Sequence, residues 1–258
     1  LPETSTDKLL KSKPQYIPAG KLAIGDFLVF PKIQPSGESD LTTSQLKLLG
    51  WYLAEGSTYI HNKLKMPVVS FSLASYELER LDEVENLVRE ITGKNVYRVV
   101  DKNKHGTSLV VYSNELRELC LKHCGKGAKT KLLSEEIMNL AWERVKPLID
   151  SYFEGDGNVY TNKTRTMIRA STASEQLARQ IQELLARGGY YASIQVRKGG
   201  KDKILGREIT RSDQYILYYA PTKRWSEVRA TENYFLVPIK KIELLSYDGP
   251  VFNLDVES

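Results

Sequence analysis

Apolar residues recur at helical spacing in two long segments, YELERLDEVENLVREIT and EQLARQIQELLAR, each preceded by a serine and followed by a glycine. Apolar positions at this spacing share one helix face, serine favours the N-cap, and glycine commonly follows a helix end. We therefore predict amphipathic helices that begin at Ser75 and Ser174 and end at Gly93 and Gly188. The stretches after them, NVYRVV and YASIQV, mix β-branched and polar residues and predict strands.

Two further apolar helices are predicted, and both end on an acid. LLGWYLAEGS places Glu55 before Gly56, and LIDSYFEGDGN places Asp156 before Gly157. A carboxylate is unfavourable at a helix C-terminus, because the backbone dipole is already negative there. Two such endings in one chain indicate that the acids have a compensating role.

The order of the predicted elements repeats at an interval of about 100 residues. Each copy contains a helix, two strands, a helix, two strands and a helix, and Ala74-Ser75 in the first copy matches Ala173-Ser174 in the second. A repeat of this length indicates a duplicated domain rather than a solenoid. We predict an α+β fold with two pseudo-symmetric αββαββα halves.

The two motif helices each carry a pair of small residues four positions apart. These pairs are Gly50 with Ala54 and Ser151 with Gly155. Small residues at this spacing let two helix backbones approach closely, so we predict that the motif helices pack against each other. Glu55 and Asp156 then become neighbours, and a shared divalent cation offsets their repulsion. One copy alone would favour an ordinary helix end; two copies favour the cation site.

Composition and charge add few constraints. The chain has 258 residues, of which 41% are hydrophobic and 27% charged, and a formal net charge of +5. This is typical of a soluble globular protein and compatible with a polyanionic partner. No apolar run is long enough to cross a membrane, and no secretion signal is recognisable. Cys120 and Cys124 lack the further ligands of a zinc site, so we expect buried thiols in a reducing compartment.

LLGWYLAEGS and IDSYFEGDG resemble the paired motifs of LAGLIDADG homing endonucleases in their single-chain form, and the resemblance covers roughly residues 41–235. The chain departs from the family pattern at Ser151, where the family usually has Gly or Ala, and at Glu55, where Asp is usual. The resemblance implies a β-saddle over double-stranded DNA and a monomeric endodeoxyribonuclease, a phosphodiester hydrolase dependent on Mg²⁺, with Ca²⁺ or Mn²⁺ as substitutes. It also implies a cytoplasmic location, in the nucleoid or wherever the host DNA lies.

The same resemblance assigns roles to residues at the ends of the motif helices. Glu55 and Asp156 are implied to be catalytic and to bind metal, with Gly56 and Gly155 as further metal ligands.

Two lysines are implied to be catalytic as well. GKGAKTKLL resembles the basic stretch before the second motif, where Lys131 matches the active-site lysine and Lys129 is the alternative. Lys223 in PTKRWSE is the counterpart in the second half. Such a lysine stabilises charge on the phosphate or orients the attacking water; a solvated surface charge is the alternative.

The strands are expected to recognise DNA through the face that points away from the helices. Alternation along the strands predicts these DNA-binding residues: Lys63, Lys65, Arg98, Lys102, Lys104, Lys163, Arg165, Arg169, Arg197, Lys198, Lys201, Lys203, Arg207 and Arg211. The glycine-containing segment 197–211 is read as a basic hairpin, with a solvated loop as the alternative. Strands of about 9 residues in each half span about one duplex turn, so two unlike halves predict an asymmetric target of roughly 20 base pairs.

The flanks resemble parts of inteins. QYIPAGKLAIGDFLVFPKI is similar to the strand before an endonuclease insertion, and FLVPIKKIELLSYDGPVFNLDVES is similar to the segment before the C-terminal splice junction. The implied domains are an intein-like segment at 1–40, LAGLIDADG halves at 41–145 and 146–235, and an intein-like segment at 236–258. Leu1 is not a splicing nucleophile and no His-Asn pair precedes the end at Ser258, so we expect an intein-derived endonuclease that does not splice.

Two alternatives stay open. The first is a nucleic-acid-binding module of the same fold without cleavage, as in maturases or regulators. The second is a remnant of a protein-splicing intein. An acid in both motifs favours the nuclease.

Overall fold

The computed structural model describes residues 9–101, 105–161, 166–204, 207–223 and 227–250. The chain divides into a smaller compact unit, residues 1–31 with 225–258, and a larger one, residues 32–224. No helix in the described ranges is long and apolar enough to cross a membrane.

The regular elements follow the chain in an order that alternates helices with strand pairs. The strands are β1 (Phe27–Pro31), β2 (Gly56–Ile60), β3 (Pro67–Ala74), β4 (Tyr97–Asp101), β5 (Gly106–Tyr112), β6 (Asn158–Thr161), β7 (Thr166–Thr172), β8 (Ala192–Arg197), β9 (Gly200–Ile204), β10 (Arg207–Arg211), β11 (Gln214–Tyr219), β12 (Arg229–Ala230) and β13 (Tyr234–Pro238). The helices from residue 43 onward are α1 (Thr43–Glu55), α2 (Leu78–Thr92), α3 (Asn114–Cys124), α4 (Glu135–Met138), α5 (Trp142–Asp156) and α6 (Glu175–Arg187).

The smaller unit contains a three-stranded antiparallel sheet in the order β1-β13-β12. Phe235 and Leu236 on β13 are buried. Leu244 and Leu245, which follow this sheet, are exposed over 96% and 83% of their surface. The apolar surface of this unit therefore remains largely accessible to solvent.

The first half of the larger unit forms an antiparallel sheet in the order β2-β3-β5-β4. Val69 and Phe71 on β3 and Leu109 and Val111 on β5 point to one face and join the core. Helices α1 and α3 contact β3 on this face. Strand alternation therefore leaves the other face without a helix from this half.

The second half repeats this arrangement with an antiparallel sheet in the order β6-β7-β11-β8, on which α5 and α6 pack. Ala170, Ala192 and Leu217 carry its strands into the same core. The hairpin β9-β10 is inserted between β8 and β11, as the basic-hairpin prediction requires. The predicted α+β class is confirmed. The described residues after β11 form a turn at 220–223 instead of the predicted third helix.

Helices α1 and α5 touch through their small residues. A Cβ atom added at Gly50 would lie 2.2 Å from the carbonyl oxygen of Leu148 and 2.9 Å from the Cβ of Ser151. A Cβ added at Gly155 would lie 2.5 Å from the Cβ of Ala54. The predicted contact between the motif helices is thus confirmed, and it joins the two halves.

The predicted helix starts are half right. Ser174 is the N-cap of α6, and its Oγ accepts a hydrogen bond from the amide of Leu177 at 3.2 Å. Ser75 does not cap α2, whose N-cap is Glu77. The hydroxyl of Ser75 is instead 2.9 Å from Oγ1 of Thr107 on β5, so the sheet and the helix compete for this serine and the sheet has it.

Gly50→Ala is expected to destabilise the larger unit by roughly 2–4 kcal/mol, because the added methyl group meets helix backbone that cannot move away. The matched control is Gly106→Ala, whose added Cβ would meet only the carbonyl oxygen of Leu73 at 3.8 Å, an ordinary contact. Urea unfolding of both variants measures the difference. Equal stability of the two variants would contradict the close approach of α1 and α5.

Candidate active site at the paired helix ends

Both acids are the last residues of their helices, and a strand begins one or two residues later. Glu55 ends α1 and Asp156 ends α5. A Cβ at Gly157 would lie 1.8 Å from the carbonyl oxygen of Phe153, so a larger residue cannot follow Asp156 on this path. The glycine after each acid therefore lets the chain pass from helix to strand without a loop, which fixes the position of the carboxylate.

The close packing of α1 and α5 brings the two carboxylates to the same place. The Cβ position of Gly155 is 3.5 Å from Cγ of Glu55, so the side chain of Glu55 lies against the end of α5. Both acids are half-buried. The predicted neighbourhood of Glu55 and Asp156 follows from this geometry.

Burial and repulsion raise the pKa of both acids. Burial is the largest cause for Asp156, and the negative charge of Glu55 adds to it, so that its pKa rises to about 7; Lys131 opposes both effects. Burial also raises the pKa of Glu55, with a contribution from Glu77, and the charges of Lys131 and Arg80 oppose it. The pair therefore costs free energy when both groups are ionised, and a cation would remove that cost.

Lys131 is buried and bonded to the end of α1. Its Nζ donates to the carbonyl oxygens of Tyr52 and Leu53 at 2.8 Å and of Gly56 at 2.9 Å. Carbonyls in the last turn of a helix have no partner within the helix, and a cation there offsets the dipole. Burial lowers the pKa of Lys131, but the nearby carboxylates of Asp156 and Glu55 favour its charged form.

The second half of the chain holds Lys131 in place. The hydroxyl of Ser174, the N-cap of α6, donates to the carbonyl oxygen of Lys131 at 2.7 Å. The predicted alternative, Lys129, is exposed in the preceding turn. Of the two lysines in this segment, the structure therefore brings Lys131 to the acids.

Lys223 occupies a different position in its half. Its Nζ donates to the carbonyl oxygen of Gly188 at 2.7 Å and lies 4.4 Å from the ring centre of Tyr190. Gly188 follows α6, whereas Lys131 binds the end of the acid-bearing helix α1. The two lysines are thus not equivalent.

Three residues near Glu55 were missed by the sequence prediction. Glu77 lies near Glu55, and Arg80 forms ion pairs with Glu77 and, at 3.7 Å from Nε, with Glu154. Arg80 therefore counters the negative charge around the first acid. The only sequence signal was the spacing of Glu77 and Arg80, which places both on one face at the start of α2.

The donor set suits a hard divalent cation but is incomplete by itself. Among the described residues, no group of three or more His, Cys, Asp or Glu side chains can hold a metal ion. Glu55 and Asp156 offer two carboxylates, while the carbonyl of Gly56 already accepts from Lys131. Further oxygen ligands would have to come from backbone such as Gly155, from water or from a bound phosphate.

Cys120 and Cys124 are free, buried thiols, as predicted. His123 is also buried, and its Nδ1 lies 2.9 Å from Oγ of Ser134. Burial raises the pKa of both thiols. This cluster is part of the core and gives no sign of metal binding.

The predicted DNA-binding residues fall into three sets. Arg169 and Arg197 lie on the sheet face away from the helices, Lys63 and Lys65 in the turn between β2 and β3. The segment 198–211 contains Lys198, which is 2.9 Å from Asp213, and the hairpin residues Lys201, Lys203, Arg207 and Arg211. Lys102, Lys104, Lys163 and Arg165 lie outside the described residues.

Arg98 requires a correction. Its partner across β5 is Leu109, which points into the core, so Arg98 lies on the helix side of the sheet. Its guanidinium pairs with Glu85, at 2.6 Å, and with Asp82 on α2. The alternation was counted from the wrong residue of this strand, and Arg98 does not point outward with the open face.

Asp156→Asn is expected to stabilise the protein at pH 8 in EDTA. An acid with a raised pKa keeps its proton in the folded state between the ordinary value of 3.8 and about 7. Its contribution to stability therefore falls as the pH rises through this range, and the variant removes a cost on the order of 2–4 kcal/mol at pH 8.

Calorimetry at pH 4 and pH 8 measures this change, and Asp150→Asn on the exposed face of α5 is the control. The gain for Asp156→Asn should largely disappear at pH 4. An equal effect at both pH values would show that the carboxylate does not carry the predicted proton.

Comparison with known proteins supports one part of the family resemblance directly. Residues 145–220 match the family model described as a LAGLIDADG-like domain. The second half of the chain therefore contains a LAGLIDADG-like domain.

The relatives of known sequence are longer proteins. The chain is 32% identical over 99% of its length to an iron-sulfur cluster assembly SufBD family protein of Mycobacterium tuberculosis, of which it covers 30%. It is 28% identical over 82% of its length to the ATP-dependent DNA helicase Hel308 of Thermococcus kodakarensis, of which it covers 20%. The chain thus spans less than a third of these relatives.

A solved structure of mesophilic variants from the homing endonuclease I-DmoI aligns with 70% of this chain and 84% of that chain. The TM-score is 0.49 and the sequence identity 16%.

Proposed function

We propose that the chain is a site-specific DNA endonuclease, a divalent-metal-dependent phosphodiester hydrolase that makes a double-strand break. The observation that carries the proposal is the half-buried pair Glu55 and Asp156 at adjoining helix ends. The pKa of both acids is raised, so the pair is costly without a cation. Perturbed carboxylates placed together in this way are typical of sites that act on phosphodiesters through metal ions.

In this proposal Glu55 and Asp156 hold Mg²⁺, with Ca²⁺ or Mn²⁺ as substitutes, and the backbone at Gly56 and Gly155 is close enough to contribute. The bound ion would neutralise charge on the phosphate and lower the pKa of water. The chain's own part is to fix the two carboxylates and to keep them ionised when the ion arrives.

Lys131 is proposed to act at this site through its charge and its bonds to the end of α1. The three carbonyls that it binds hold the turn that carries Glu55, and its positive charge lies near both acids. Negative charge that develops on a phosphate there would be stabilised. Lys223 would have to leave the carbonyl of Gly188 to act in the same way at the second acid.

Double-stranded DNA is the proposed substrate, bound by a monomer along the faces of the two four-stranded sheets. The two sheets belong to one chain and differ in sequence, which supports an asymmetric target of roughly 20 base pairs. The proposed location is the cytoplasm or nucleoid, where such a substrate lies.

The intein origin is proposed from the pattern of relatives. A piece of the same length matches inside a SufBD family protein and inside a DNA helicase, whose names denote unrelated activities. A segment that recurs inside unrelated hosts is expected of an inserted element. In this proposal 1–40 and 236–258 are the intein-like flanks, and 41–145 and 146–235 are the endonuclease halves.

Asp156→Asn should abolish cleavage and keep DNA binding. The reason is that the amide cannot supply the charged oxygen ligand, while the sheets are unchanged. A duplex selected by the full chain from a randomised library, in Ca²⁺, serves as substrate. Cleavage is then measured on gels with Mg²⁺, and binding by gel shift.

Asp150→Asn is the matched control, because Asp150 is exposed on the same helix and pairs with Lys146. It should cut at the parental rate. If Asp156→Asn also cuts at that rate, the two acids are not the catalytic pair.

The second candidate is a DNA-binding module without cleavage. It is favoured by the absence of a third acidic ligand among the described residues. The same duplex separates the two functions, because a binding module leaves it intact with and without Mg²⁺ or Mn²⁺.

A further inference from the structure

The two sheets present different chemistry on their open faces, by which we mean the faces away from the helices. On β3, Val69 and Phe71 belong to the core, so Val68 and its cross-strand partners Tyr59 and Tyr112 face the other way. The same alternation assigns every strand residue of both sheets to one face or the other.

The open face of the first sheet is apolar and aromatic. Its larger side chains are Tyr59, Tyr97, Val99, Val110 and Tyr112. Tyr97 and Tyr112 are in edge contact with ring centres 5.9 Å apart. In the described strands the only charged residue on this face is Asp101, at the outer end of β4.

The open face of the second sheet carries hydrogen-bonding side chains instead. On β7 and β11, Ala170 and Leu217 point into the core, so Arg169 and its partners lie on the open face. The polar side chains on this face are Asn158, Arg169, Gln195, Arg197 and Gln214. All but Gln214 are exposed.

These two sets of side chains match different parts of the major groove. Arginine binds O6 and N7 of guanine, and asparagine or glutamine binds N6 and N7 of adenine. Apolar side chains contact the C5-methyl group of thymine. Tyrosine and valine cannot make a two-point contact with a purine edge.

We propose that the two halves of the DNA target are recognised by different means. The first sheet selects thymine methyl groups by apolar contact, and the second sheet selects guanine and adenine by hydrogen bonds. The inference rests on the proposed function, because it requires DNA on both open faces. Lys63 and Lys65, in the turn at one end of the first sheet, favour DNA as the occupant of its apolar face.

The test uses chemically altered bases in the duplex selected by the full chain in Ca²⁺. Uracil in place of thymine removes the methyl group, and 7-deazaguanine in place of guanine removes N7. Uracil in the half under the first sheet should weaken binding about tenfold, since several contacts are lost together, and by less than twofold in the other half. The effect of 7-deazaguanine should be the reverse.

The orientation of the duplex is fixed by cleavage from a tethered iron chelate. Asn62→Cys places a thiol in the exposed turn between β2 and β3, while Cys120 and Cys124 are buried and should not react. Strand scission near one end then identifies the half under the first sheet.

Arg169→Met tests whether this arginine reads a base directly. The variant should bind the parental duplex about tenfold more weakly and should show no further loss with 7-deazaguanine at its position. Arg179→Met, on the exposed side of α6, should keep the full loss with 7-deazaguanine. A purely structural role of Arg169 would leave that loss unchanged in the variant, which would overturn its assignment.

The outcomes separate the inference from the proposed function. Equal sensitivity of both halves to both base changes would overturn the inference and leave the nuclease proposal standing. Protection of only the half under the second sheet would mean that another partner covers the apolar face, which also overturns it. If no duplex is enriched at all, the proposed function itself fails.

Discussion

The contact between α1 and α5 is the constraint on which the rest of the larger unit depends. At Gly50 the backbones are so close that no side-chain atom fits between them and Leu148. Because each helix belongs to a different copy of the repeat, this single contact sets where the two halves meet. It also sets where each helix ends, and both ends carry an acid. The position of the site is therefore a consequence of helix packing rather than of any loop.

Electrostatics at the helix ends oppose the fold and are only partly compensated within the chain. A carboxylate, a helix dipole and a second carboxylate all place negative charge in one half-buried region. Lys131 counters the charge at α1 through three carbonyls, and Arg80 counters it from α2. No equivalent of Lys131 is bonded to the end of α5 among the described contacts, and the pKa of Asp156 is raised to about 7. Such residual strain is expected where a protein keeps groups for chemistry rather than for stability.

Much of this arrangement was predictable from the sequence, because it depends on residue type at fixed spacing. Glycine and alanine four residues apart have one structural reading in a close helix pair, and the structure confirms it. The failures have a common physical origin. Ser75 is a good cap by type, yet a hydroxyl on the neighbouring strand takes its hydrogen bond. Arg98 was assigned to the wrong face because a strand's alternation has no fixed starting point in the sequence. The network of Glu77 and Arg80 depends on tertiary distances that no local pattern contains.

The hydrogen bond from Ser174 to the carbonyl of Lys131 has a consequence for the history of the repeat. The residue that steadies the first copy's acid is itself held by the second copy. A tandem of two second halves would lack this lysine, and a tandem of two first halves would offer Ser75, which is already engaged with Thr107. Gene duplication supplied matching frameworks, but later divergence has made the copies complementary, so that neither can now be exchanged for the other.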